Sequence, residues 1–360
     1  MARSKDYKLG EFDFPRGWFM IGVADELPDN PTTLHFFGKD MVFYRGESGA
    51  PHLVHAYCPH MGAHLGRNST SYIIRDKQQI HGDSISCPFH GWRFGPDGHC
   101  DHIPYSPDFI PQSARLKTYT VVERAGIVWM WHDPQGDEPD QDLPHFEAWD
   151  QEEKGWVRWS IDDFGTLDLH PIEIVDNMAD LGHMGPIHGS LNYQYFDNIF
   201  NGPKVMQRFD AGHRTLTDDE TATLSLDTWY DGPALLQARM QGSFPSLMLI
   251  AHTPVDDGTV KLWHGLMVKL PSGDHTTEEL EVAREYQRAS RDALAQDVEI
   301  WANKEPCFNP MQIPADGPYG KVRTWYRQFY NPRDNAQEIH KRVNGQVVSF
   351  GKKRTVEPAD

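Results

Sequence analysis

The sequence predicts an α+β protein in two parts, an all-β N-terminal domain and a second domain in which a long helix lies across an antiparallel sheet. Residues 16 to about 130 read as short strands broken by Gly-rich turns. Residues about 203–270 alternate apolar and polar positions over longer runs, and an unbroken helical stretch follows from Thr277. At 360 residues the chain is also too long for one ordinary core.

In the first part, "TTLHFFG", "DMVFYRG" and "PHLVHAYC" have the β-branched and aromatic content of strands, and "IVWMWH" closes the region. The domain is placed at 1–132, with the N-terminal segment included. The acidic, Pro- and Gly-containing run "DPQGDEPDQDLP" (133–144) reads as a linker, leaving 145–360 for the second domain. There, residues about 171–190 are helical in part, and "ETATLSLDTWYD", "SLMLIAHTPV" and "TVKLWHGLMVKL" are strands. Thr276 and Glu279 form a capping box at the start of the long helix, and no Gly or Pro intervenes until Pro306.

A net charge of -18 argues against a nucleic-acid partner, which needs clustered Lys and Arg. The first residues show no secretory signal pattern, and no stretch reaches the roughly 18 apolar residues of a membrane span. With only 4 cysteines a disulfide framework is not expected, and a reducing, cytoplasmic setting fits.

Two of those cysteines open short segments that also carry histidine. The pattern is Cys58-x-His60, 26 intervening residues, then Cys87-x-x-His90. Thiolates and imidazoles are ligands for soft or borderline metals. One reading is a tetrahedral Cys2His2 zinc site, although zinc knuckles more often pair Cys with Cys and His with His. The other is a [2Fe–2S] centre with two Cys on one iron and two His on the other, so that each segment gives one ligand to each iron. The intervening residues are mostly polar and read as a surface hairpin.

A second cluster lies in "DNMADLGHMGPIH", with Asp180-x-x-His183-x4-His188. On an ideal helix the two histidines would sit about 140° apart. Pro186 must break or bulge a helix there, which can swing His188 toward His183. On the long helix, Ala293, Leu294, Ile300 and Trp301 make one apolar face with Asp297 at its centre, while Asp292 and Glu299 point away. A carboxylate so placed needs a metal or a buried cationic partner. Two His and one carboxylate form the facial triad of non-haem Fe(II) oxygenases. Leu294 and Trp301 either line a substrate cavity over the metal or are ordinary core.

"CPHMGAHLG", "CPFHGWRFGPDG" and "DNMADLGHMGPIH" together resemble the Rieske non-haem iron oxygenases. "RGWFMIG", "IPYSP", "QDVEIWANK" and "DGPYGKVRTWYRQFY" extend the resemblance over most of the chain, toward the oxygenase components of 3-ketosteroid 9α-hydroxylases. The resemblance implies a helix-grip, START-like second domain, a Rieske [2Fe–2S] cluster on Cys58, His60, Cys87 and His90, and Fe2+ on His183, His188 and Asp297. Asn177 and Asp180 match the family's Asn-x-x-Asp-x-x-His pattern. Asp180 is then a bridge between His90 of a neighbouring subunit and its own His183, which implies a cyclic homotrimer. An NAD(P)H-dependent flavin and iron–sulfur reductase becomes the expected partner, since no G-x-G-x-x-G follows a strand. The implied reaction is monooxygenation of a bulky apolar substrate, a steroid, with dioxygen. The alternatives are a Rieske O-demethylase or hydroxylase of a smaller aromatic compound, and a Rieske electron carrier.

Overall fold

The computed structural model describes residues 2–214, 216, 223–272, 275–313 and 315–354. It divides into two compact units, Trp18–Asp140 and a second made of Met1–Gly17 together with Gln141–Asp360.

In the first unit, the three predicted strands form Thr32–Phe36, Lys39–Arg45 and Pro51–His55, joined in one sheet by Thr118–Tyr119. A second sheet orders Ile80–His81, Ser84–Ser86, Arg93–Phe94 and Cys100–His102. A third contains Ile127–His132, the predicted closing strand, whose six residues are all buried. Val42, Tyr44, Val54, Ile85 and Phe94 pack in one core with Cys58 and Cys87. The two metal-binding candidates therefore rest on the rigid centre of the unit.

The second unit is built on a sheet of nine strands among the described residues. Its order is Trp156–Val157, Val260–Lys269, Ser246–Pro254, Leu235–Gln241, Leu224–Asp231, Lys204–Ala211, Tyr195–Asn201 and Gly345–Phe350, with Asp162–Leu167 also pairing Val260–Lys269. Every resolved pairing is antiparallel. The start of "ETATLSLDTWYD", residues 220–222, lies outside the described residues. The helix Thr277–Ala302 begins as expected, with the Thr276 side chain accepting from the Glu279 N–H. It is fixed to the sheet by Gln287 Nε2 donating to the Leu266 carbonyl at 2.8 Å, and by a 2.9 Å contact between His264 Nε2 and Ser290 Oγ.

Three expectations change. The N-terminal segment packs with the second unit, not the first. Tyr7 and Leu9 are buried in its core, the Tyr7 hydroxyl donates to Glu173 at 2.6 Å, and Asn331 Nδ2 donates to the Leu9 carbonyl at 3.0 Å. Apolar residues at 7 and 9 need a core, and the helices near the C-terminus supply it. The stretch 133–144 is also no free tether. The Trp131 indole holds the Asp137 carbonyl at 3.0 Å, and Leu143 is buried. Finally, the helix Pro171–Val175 passes into a 3-10 turn at Asp176–Ala179 and ends before the histidines. Turns, not a kinked helix, carry His183 and His188.

Candidate metal centres and substrate cavity

Cys58 and Cys87 open two equivalent knuckles. In each, the cysteine N–H donates to a carbonyl five residues on, Ala63 at 2.9 Å and Trp92 at 2.8 Å. Its own carbonyl accepts from the glycine four residues on, Gly62 at 2.9 Å and Gly91 at 3.0 Å. Both glycines sit at φ +72°, a left-handed conformation that costs glycine little. The turns aim backbone N–H groups of His60 and Met61 at one sulfur, and of Phe89 and His90 at the other. The thiols are buried and share a hydrogen bond, which holds Cys87 below the usual thiol range and pushes Cys58 up. The two imidazoles lie side by side, ring centres 4.8 Å apart. His60 also stacks on Trp92 at 4.2 Å, and its buried Nδ1 has no protein partner.

This pairing bears on the two metal readings. Thiols paired with thiols and imidazoles with imidazoles fit a group of two metal atoms. The 26-residue spacer also does more than form a surface hairpin. Before the short hairpin it forms the helix Tyr72–Arg75, capped by Ser71. Ser71 Oγ donates to the Pro88 carbonyl at 2.7 Å, so the spacer braces the second knuckle.

The second centre brings residues 183, 188 and 297 together across more than 100 positions of chain. Their ligand atoms lie within 4.8 Å of one another. His188 Nε2 is 3.4 Å from Asp297 Oδ2, and His183 Nε2 is 3.9 Å from Asp297 Oδ1. The other nitrogen of each ring faces an outer partner. His183 Nδ1 is 3.4 Å from Asp180 Oδ2, and His188 Nδ1 is 3.1 Å from Gln296 Oε1. The Gln296 oxygen can fix the His188 ring so that Nε2 presents its lone pair to a metal, whereas His183 Nδ1 lies at ion-pair distance from Asp180 without hydrogen-bond geometry. Burial lowers the pKa of His183, but the Asp180 and Asp297 carboxylates outweigh it and the net shift is upward. Asp180 shifts down despite burial, because it accepts from His183 and Tyr319.

The turn that presents Asp180 is held from behind. Arg323 makes a bidentate pair with Asp176, with Nε 3.0 Å and Nη2 2.5 Å from the carboxylate oxygens. Gly317 packs directly on the Ala179 carbonyl, and a Cβ there would sit 1.8 Å from its oxygen. Gly317→Ala is therefore expected to cost about 1–3 kcal/mol. Calorimetry should show a lower melting temperature, and turnover should fall with it.

Below the triad lies a cavity with about 820 Å³ of space between atoms, part of it open to solvent. Ile174, Met178, Leu236, Met240 and Ile250 make it mainly apolar. Asn177, Leu294 and Trp301 line it, whereas Ile300 does not complete the helix face: it is 48% exposed. Sequence reasoning missed four polar residues on the wall, Gln207, His213, Thr228 and Ser290. His213 stacks on His188 at 5.1 Å, and burial lowers its pKa to about 3, so it stays neutral. A lone His two residues past a strand gives no local signal of this place.

Comparison with known proteins decides the family. Residues 17–120 match the Rieske [2Fe-2S] domain, and residues 130–330 match the 3-Ketosteroid 9alpha-hydroxylase C-terminal domain. A probable 3-ketosteroid-9-alpha-monooxygenase oxygenase component from Rhodococcus rhodochrous is 33% identical over 331 residues, 88% of this chain and 80% of its own. The chain is a Rieske non-haem iron oxygenase.

Cholesterol 7-desaturase of Bombyx mori is 28% identical over 348 residues, 88% of this chain and 70% of its own. The solved structure of dicamba monooxygenase with non-heme iron and dicamba has 17% identity and a TM-score of 0.61. The alignment covers 91% of this chain and 97% of that one, and it supports the fold. This Rieske oxygenase is an oxidoreductase related to the 3-ketosteroid monooxygenases, with a Rieske [2Fe–2S] domain and, in its second unit, three side chains that could hold a metal ion. Among the described residues, no helix is long and apolar enough to cross a membrane.

Proposed function

We propose that the chain is the terminal oxygenase of a multicomponent system that hydroxylates a bulky, apolar, fused-ring substrate, a steroid of the 3-keto type. Cys58, His60, Cys87 and His90 hold the cluster, and His183, His188 and Asp297 hold the iron. When bound, these groups supply single electrons and activate dioxygen, so that one oxygen atom enters a C–H bond and the other leaves as water. Electrons come from NAD(P)H through a separate flavin and iron–sulfur reductase.

The observation that carries the substrate reading is the cavity. It is a concave, mainly apolar site reached by the three metal-binding side chains, with few polar groups on its wall. Its methionines and leucines give a polycyclic hydrocarbon a dry, adaptable surface. Relatives that match 88% of this chain are named for a ketosteroid and for cholesterol. Leu294 and Trp301 stand one turn before and one turn after Asp297, where they press the substrate toward the metal-binding side chains.

The chain's own residues also divide the remaining work. Asp180 accepts from the His183 backbone N–H and sets its negative charge beside the outer nitrogen of that ring. In a head-to-tail ring its carboxylate also accepts from His90 of the next copy, which makes a cyclic trimer the working state. The rim of the cluster unit suits such docking, since Met61, Phe89 and Tyr105 are exposed around half-buried His60 and His90.

A substrate screen tests this reading. Steroids, polycyclic terpenoids and small aromatic acids would be offered to enzyme with its reductase, with oxygen and NADH consumption read against product. Coupled turnover is expected with 3-ketosteroids. Coupling only with small aromatic compounds would replace the reading by a demethylase or aromatic hydroxylase. No oxygen consumption with any of them, and no iron beyond the cluster, would leave an electron carrier.

A further inference from the structure

The inward face of the sheet carries a polar row that crosses three neighbouring strands. In the strand Lys204–Ala211, the buried positions are Val205, Gln207, Phe209 and Ala211. In Leu224–Asp231 they are Leu224, Leu226, Thr228 and Tyr230. Gln207 and Thr228 face each other in register, and Asn198 is the register partner of Gln207 on the other side. The row Asn198–Gln207–Thr228 then meets Ala238.

The first two members have work inside the protein. Asn198 Nδ2 donates to the Met178 carbonyl at 2.5 Å, and Gln207 Nε2 reaches the same carbonyl at 3.3 Å. Both satisfy the end of the 3-10 turn that leads to Asp180. Thr228 is different. It is 4% exposed, it lines the cavity, and its hydroxyl has no hydrogen-bond partner. A buried hydroxyl without a partner is costly, and valine would fit a strand equally well. Such an atom in a ligand cavity is a place where the ligand completes the hydrogen bond.

We propose that the Thr228 hydroxyl is the polar anchor of the substrate cavity, donating to a ketone oxygen on an otherwise hydrocarbon ligand. It rests on the steroid reading above and sharpens it. The ligand must carry an acceptor oxygen at one end, held at the sheet wall, while the apolar skeleton extends along Leu236, Met240 and Ile250. Thr228 is a specificity residue with no part in the chemistry. A site built to hydrogen-bond one group discriminates against analogues that lack it far more strongly than an apolar wall can.

The test uses the metal-loaded enzyme, the isosteric variant Thr228→Val, and Thr228→Ser as the variant that keeps the hydroxyl. The probes are androst-4-ene-3,17-dione and its 3-deoxy and 17-deoxy analogues, and the dissociation constant is read for each. Thr228→Val is expected to weaken the dione and one mono-ketone about tenfold, while the other mono-ketone binds as it does to wild type. Thr228→Ser should bind all three like wild type. Equal loss on all three probes, or no loss on any, would overturn the anchor while leaving the steroid reading intact. Wild-type enzyme that binds none of the three would overturn the steroid reading itself, and the ketone anchor with it.

Discussion

Replacing Asp180 with Asn should lower NADH-driven turnover by about 100-fold while both metal centres stay filled. The side chain keeps its volume and can still accept from the His183 backbone N–H, which is 3.1 Å from Oδ1. What it loses is the negative charge beside His183 Nδ1, at 3.4 Å, and the second acceptor oxygen that the proposed ring arrangement requires. The readout that separates bridging from mere support is the cluster's own spectrum. With the reductase exhausted, the cluster of the variant should remain reduced when substrate and oxygen are added, whereas wild type reoxidises. Unchanged turnover would remove Asp180 from the path between chains. Loss of the mononuclear iron would instead make it a support of the iron site.

Asp297→Ala has the second large effect, and its signature is different. Wild type should hold about three irons per chain, two in the [2Fe–2S] centre and one mononuclear. The variant should hold about two, with an unaltered cluster spectrum and no hydroxylated product. The argument is geometric. Asp297 is the acidic group toward which both Nε2 atoms converge, at 3.4 and 3.9 Å. Two imidazoles alone would leave the triad without its anionic ligand. A variant that retains three irons would assign the third ligand elsewhere. Together the two variants distinguish an enzyme that has lost its iron from one that has kept it but no longer receives electrons.

Much of this architecture was legible because it is local. A Cys, a His two or three positions on and a Gly four positions on define a knuckle whatever surrounds it. Thr276 and Glu279 likewise announce the long helix within four residues. Asp297 could be singled out because a carboxylate between Leu294 and Trp301 contradicts the helix's own apolar face. What escaped depends on long-range pairing. Thr228 looks like any β-favouring residue until the register sets it beside Gln207. Ile300 fits the helical period yet lies outside the packed stripe, since period alone does not say how wide a helix face is covered. The turn at His183 misled for a related reason. Helix-like bonds do run from Ile187 to His183 and from Gly189 to Gly185, both at 2.9 Å, but they never join into a helix.

The N-terminal segment has a consequence for how the molecule is made. Trp18–Asp140 is one unbroken run, so Cys58, His60, Cys87 and His90 have all emerged from the ribosome once residue 140 is out. Every residue of that unit is therefore present while the rest is still being translated. Residues 2–17 are synthesised first but must wait, because Glu173, Phe329, Tyr330 and Asn331 complete their binding site. At about 5–20 residues per second, the interval between the two events is roughly 10–40 s. The unit Trp18–Asp140 is thus complete in sequence early, and the other closes only when residues 2–17 meet the segment 329–331.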